Sequence, residues 1–257
     1  MTNFQIDDIT WNDLSMEEVY EKLNTAQSSV GQESLKRILR TTLMEESALR
    51  ERSRRAAYFS RQEQARNDIT RIFRDLGKTK KLSLYEYIFR FHEVKPASNA
   101  LHYLLIVLLL AAITMIFLRP VIGILSLVVM FVINISTYFK YKAEIESYFM
   151  CFKYIVRMLR AGSRICRYVF PGEHPFGDLL REMEQDLTVL APMKRGSWLL
   201  TNSVSGSLVD VVMDYVRMLF HVDIIKFNSL RKLAEDQTDT IDHLFRTLGE
   251  LEADLCI

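Results

Sequence analysis

From Leu101 to Leu118 the chain reads LHYLLIVLLLAAITMIFL, and from Val121 to Phe139 it reads VIGILSLVVMFVINISTYF. Each run approaches the roughly 20 apolar residues that cross about 30 Å of hydrocarbon as a helix. Only Arg119-Pro120 separates them. Proline ends the first helix there, and the arginine is a charge able to snorkel to headgroups. Two helices joined by so tight a turn return the chain to its starting side. The competing reading is a buried or re-entrant hairpin, but a soluble core helix normally keeps a polar stripe and these runs have almost none. The block is therefore expected to be a pair of membrane spans.

The flanks set the expected orientation. Lys78, Lys80, Lys81, Arg90 and Lys95 precede the hairpin, Lys140, Lys142, Lys153 and Arg157 follow it, and the outer turn carries Arg119 alone. The positive-inside rule then predicts a multi-pass cell-membrane protein with both termini cytoplasmic. Tyr103, Tyr138 and Tyr141 fall where interfacial aromatics are expected. The polar, acidic start of the chain carries no basic-then-apolar pattern of a cleavable signal peptide.

The remaining sequence reads as helix. Lys+Arg total 33 and Asp+Glu 32, so net charge gives no whole-chain drive toward nucleic acid. Nine Gly and five Pro are few for 257 residues, which favours helix over a turn-rich β protein. Ser15-Met-Glu-Glu18, Ser60-Arg-Gln-Glu63 and Ser83-Leu-Tyr-Glu86 match the capping box. Beyond the hairpin, Tyr148, Phe152, Ile155, Val156 and Leu159 keep helical spacing up to a break at Pro171-Gly172. A shorter helix is expected around 176–190. Val209, Val212, Met213, Val216, Leu219 and Phe220, then Ile224, Phe227, Leu230 and Leu233, then Ile241, Leu244, Phe245, Leu248 and Leu251 recur at three and four, as in long packed helices. The predicted fold is an all-α core and lever bundle interrupted by a two-helix transmembrane hairpin. Its parts are a cytoplasmic helical part at 1–97, the hairpin at 98–142 and a long-helix cytoplasmic part at 143–257. Helical rhythm continues to Ile257, which reads as an interrupted helix.

No catalytic constellation emerges. Gly77-Lys78-Thr79 lacks the glycine five positions earlier that a P-loop needs, since Ile72 stands there, and a helix precedes it, so a helix C-cap is the better reading. His92, His102, His174, His221 and His243 show no metal-pair spacing, and no cluster completes a metal site. His102 falls at the membrane edge. Cys151 and Cys166 sit on apolar helical faces and, with Cys256, make a poor disulfide framework. Asp7-Asp8 and Glu45-Glu46 suit helix starts. Arg50, Arg52, Arg54 and Arg55 could touch phosphate, but they alternate with Glu45, Glu46 and Glu51, the pattern of a solvated, ion-paired face. No catalytic residue, cofactor or metal ligand is assigned within the chain.

One stretch is more specific. Leu23–Phe59, LNTAQSSVGQESLKRILRTTLMEESALRERSRRAAYF, resembles the start of the core domain of MutS-type DNA mismatch-repair ATPases. The resemblance rests on a Ser-rich turn and glycine (Ser28, Ser29, Gly31), a short helix with Leu35, Leu39 and Arg40, and a following helix with Leu49 and Arg52. The opening Asp7–Leu14 and the stretch His221–Asn228 resemble a membrane-anchored bacterial branch of MutS-related proteins. Leu244–Ile257 is similar to the helix leading into the family's ATPase domain. The family's mismatch-reading Phe-x-Glu wedge is not recognisable, and no P-loop ATPase falls within these residues. The resemblance implies a membrane-tethered core and lever, DNA association in mismatch repair or a related process, and a homodimer or ATPase partner. ATP and Mg²⁺ are implied only for a domain beyond residue 257. The alternative expectation is a non-enzymatic membrane scaffold whose helical arms bind another protein.

Overall fold

The computed structural model describes residues 5–42, 44–79, 98–196 and 208–257. The capping box at Ser83, and Lys80, Lys81, Arg90, His92 and Lys95, lie outside the described residues. Among those described there is no strand; Gln5 and Thr41 form an isolated antiparallel bridge. The chain is all-α. In order the helices are α1 Asp8–Asp13, α2 Met16–Leu23, α3 Ser29–Arg40, α4 Glu46–Arg61, α5 Glu63–Leu76, α6 Ala100–Leu118, α7 Pro120–Cys166, α8 Gly177–Val189, α9 Ala191–Gly196, α10 Leu208–Leu219, α11 Val222–Asp236 and α12 Thr238–Cys256.

The helices fall into two compact units. The first takes its described residues from 5–79, Tyr154–Ala191 and Thr238–Ile257, so both ends of the sequence build it. Its centre is the packing of α12 on α3. Ile241, Leu244, Leu248 and Leu251 of α12 and Leu35 of α3 are almost wholly buried. Each such side chain contributes about 1.5–3 kcal/mol relative to exposure. The predicted periodicity of α12 is thus a core stripe. Tyr58 packs edge-on against Phe176, with ring centroids 5.3 Å apart, and its hydroxyl donates to the Pro171 carbonyl at 2.9 Å. That bond pins the expected break, where Gly172 takes φ 69°.

Helix starts were only partly legible. Asp7 caps α1, accepting from Thr10 N at 2.8 Å. Ser15 precedes α2 at φ 52° and makes no side-chain capping bond. Ser60 lies inside the last turn of α4 and donates back to the Ala56 carbonyl at 3.2 Å, so it does not start a helix. Gly77 ends α5 at φ 71°, its N–H donating to Phe73 O at 2.9 Å, as a helix C-cap requires.

The second unit comprises 98–153 together with Pro192–Gln237. Two of its helices are long and apolar enough to cross a membrane, Ala100–Leu118 and Pro120–Glu146, with mean hydropathies of 2.6 and 2.2. Arg119 closes α6 and Pro120 opens α7 at the position where a missing N–H costs nothing. Gly123 lets the antiparallel helices touch, since a Cβ there would stand 2.7 Å from the Met115 carbonyl carbon. A soluble core helix is mostly buried; only 22% and 17% of these windows are. Val121 and Phe117 are more than four-fifths exposed. The apolar helix α7 continues without interruption to Cys166, as the spacing beyond the hairpin predicts. The three apolar stretches after residue 205 form three successive helices among the described residues, separated at His221 and Gln237. Tyr138, expected at the interface, is buried against Ile145, Ile224 and Phe227. Val212, Met213 and Val216, expected in a core stripe, are exposed.

Candidate functional site

The residues singled out at 28–31 form the first turn of α3. A helix start leaves its first amides without intrahelical acceptors. Here each finds one. Ser28 caps the helix, its Oγ accepting from Gly31 N at 3.3 Å. Gln27 N and Ser28 N donate to Glu252 Oε1 at 2.6 and 3.1 Å, and the Ser28 hydroxyl donates to Glu252 Oε2. Ser29 N donates to Gly77 O, and Val30 N to the Tyr154 hydroxyl at 3.3 Å. The same hydroxyl donates to Gly77 O at 3.2 Å, and Thr79 N donates to Ser29 Oγ at 2.8 Å. The Gly77-Lys78-Thr79 turn therefore serves as a bracket for α3.

Glu252 takes the place an exogenous anion would occupy at a helix N-terminus. Burial raises its carboxyl above the ordinary value, while Ser28 and the two amides oppose that shift. Two glycines permit the approach. A Cβ on Gly31 would collide with the Glu252 side chain, and one on Gly249 would meet Ser34 Oγ and stand 2.7 Å from Val30 O.

The other motif residues are dispersed. Leu35 is in the core and Leu39 at its margin. Arg40 pairs with Asp8 at 2.8 Å and lies over the Trp11 ring, 4.7 Å from its centroid. Arg50 pairs with Glu46 at 2.5 Å on the exposed face of α4, and Arg54 is exposed beside it. Leu49, paired with Arg52 in the motif, is likewise half-exposed. Arg55 turns inward: its Nε lies 3.0 Å from Asp254 Oδ2, with Glu51 at 3.8 Å. Burial pushes the Asp254 carboxyl up to about 7, opposed by Arg55 and Arg52. A cleft of about 680 Å³ is lined by Lys36, Arg37, Arg40 and Arg246 beside Glu33 and Phe245. Each of its four cations already meets a carboxylate, on Glu17, Glu250, Asp8 and Asp242.

The second unit holds a pair that sequence spacing did not reveal. His102 Nδ1 lies 2.8 Å from His221 Nδ1, and His221 Nε2 lies 3.0 Å from the Asn134 carbonyl. A carbonyl only accepts, so His221 carries its proton on Nε2 and its Nδ1 accepts from His102. His221 is neutral in this arrangement. The contact is a hydrogen bond rather than a metal pair, since two nitrogens each about 2.0–2.1 Å from one zinc would stand farther apart. His221 adopts φ 50° to reach it. Beside the pair, the Tyr138 hydroxyl donates to Asp223 at 3.1 Å and accepts from Lys142 at 2.9 Å.

Burial pushes the Cys151 thiol up to about 12 and the Cys166 thiol to about 11, far from a thiolate nucleophile. Among the described residues no group of three or more His, Cys, Asp or Glu could hold a metal. Arg119 and Pro120 occupy the exposed turn of the hairpin. Glu252 was missed although it stands on the apolar stripe of α12, four residues after Leu248. A carboxylate on a core stripe was the available signal. Comparisons with protein-family models, with curated proteins and with solved structures find no match.

Proposed function

We propose that this chain is the core-and-lever module of a MutS-like assembly, tethered to the cell membrane by a two-span hairpin with both termini cytoplasmic. It associates with DNA and serves a separate or appended ATPase in mismatch repair or a related process, contributing no catalysis of its own. The observation that carries the reading is the union of Ser28 and Gly31 with Glu252, and of Val30 and Ser34 with Gly249. The resemblance assigns the opening motif and the closing helix to one core, and these residues join them. The exposed apolar surface of α6 and α7 supports the tether.

A specific observation favours a second reading, a membrane scaffold that binds another protein and no DNA. The amides of α3 are satisfied internally, and Arg50, Arg55 and the cations of the cleft are already paired with carboxylates.

The test is binding of labelled duplex, mispaired duplex and branched DNA to the full chain in nanodiscs at two salt concentrations. The MutS-like reading expects saturable binding that weakens with salt and prefers mispaired or branched DNA, with no ATP turnover by the chain. Absence of binding at low salt overturns it in favour of the scaffold. Specific, saturable ATP turnover overturns the non-catalytic role.

A further inference from the structure

Helix α10 carries an exposed apolar face. Val211, Val212, Met213, Tyr215 and Val216 are all exposed, between 37% and 61% of their full surface. Arg217, paired with Asp214 at 3.4 Å, keeps only 17% of its side chain exposed, and Met218 beside it packs inward against the cluster of Tyr138 and Ile224. The Met218 contact with the Tyr138 cluster places this side of α10 toward α7. Water-facing helices present a polar face instead. The hairpin likewise carries an exposed apolar face, with His102 and Asn134 buried and Val121 and Leu125 exposed.

The end of α10 is also fixed in place. It is followed by His221, whose ring bonds His102 near the start of α6 and the Asn134 carbonyl on α7. The apolar surface of α10 therefore adjoins that of the hairpin. Twelve residues span roughly 18 Å at 1.5 Å each, too short to cross about 30 Å of hydrocarbon.

We infer that α10 is a third lipid-contacting element, with the bilayer itself covering its apolar face at the level where α6 begins. It lies against the hairpin without spanning, and the His102–His221–Asn134 contacts hold it there. This rests on the membrane reading of α6 and α7.

The test places a benzophenone side chain at Val212 or Tyr215 on α10, at Leu125 on the hairpin, or at Asp178 on α8. Each full-length chain is reconstituted in phosphatidylcholine nanodiscs, irradiated and weighed intact. Lipid adducts are expected at Val212, Tyr215 and Leu125, and none at Asp178. Adducts at Leu125 with none at Val212 or Tyr215 overturn the inference and leave the spans standing. A covalent dimer from Val212 or Tyr215 without lipid adducts overturns it by assigning the face to a second copy. No lipid adduct at Leu125 overturns the membrane reading itself.

Discussion

Glu252 accepts both the amide and the hydroxyl of Ser28, a residue 224 positions away, and so closes the first turn of α3 with a carboxylate from α12. Replacing it leaves three donors without their acceptor, and an unpaired buried donor costs about 1–3 kcal/mol. Glu252→Ala is expected to destabilise the first unit by about 3 kcal/mol, after some relief by water. Amide hydrogen exchange at residues 27–32 should accelerate while α10 and α11 are unaffected. Unchanged protection of α3 would show that the carboxylate is dispensable.

Gly249→Ala sets two effects against each other. Alanine gains about 1 kcal/mol in helix propensity over glycine. Its Cβ, however, would press on the Val30 carbonyl at 2.7 Å, and backbone cannot swing aside as a side-chain end can. Overpacking of about 1–3 kcal/mol is expected to exceed the gain. Denaturant titration should show a net loss of stability, and a rise would mean that α3 and α12 separate freely.

The two units should respond to pH in opposite senses. Asp254 rises from 3.8 to about 7, so between those values the folded state holds a proton that the unfolded state has lost. Its contribution is full below about 4 and lost as pH climbs through about 7, on the order of a few kcal/mol. Asp254→Asn should flatten that slope. His221 is depressed by burial, so its contribution is present above the ordinary histidine value near 6.5 and lost as pH falls. Hydrogen exchange at pH 5 and pH 8 should find α12 better protected at the lower pH and the α10–α11 elbow at the higher. The same trend in both regions would contradict these assignments.

Local signals made the two long apolar helices legible, because their length and apolarity lie within single segments, and Gly77 was legible because a glycine after an apolar run stops a helix. The capping box at Ser15 marked a true helix start but not its side-chain bond, since Ser15 takes φ 52°. The box at Ser60 misled, because four residues specify a cap only where a helix begins, and α4 runs on to Arg61. The seam itself was half visible: Ser28 and Gly31 stood out, but Glu252 gains its role only through folding. His102 and His221 lie 119 residues apart, and no rule based on local spacing could pair them. The exposed face of α10 reads as an ordinary core stripe, since periodicity reports an apolar face without saying what covers it.

Topology of the hairpin is the most direct measurement. Tags fused before residue 1 and after residue 257 would be assayed in sealed inverted membrane vesicles treated with external protease, after washing at alkaline pH. Retention in the membrane is expected, with both tags removed and a protected fragment containing 100–146. Release by the alkaline wash, or protection of one tag and loss of the other, would contradict a two-span tether with both flanks in the cytoplasm.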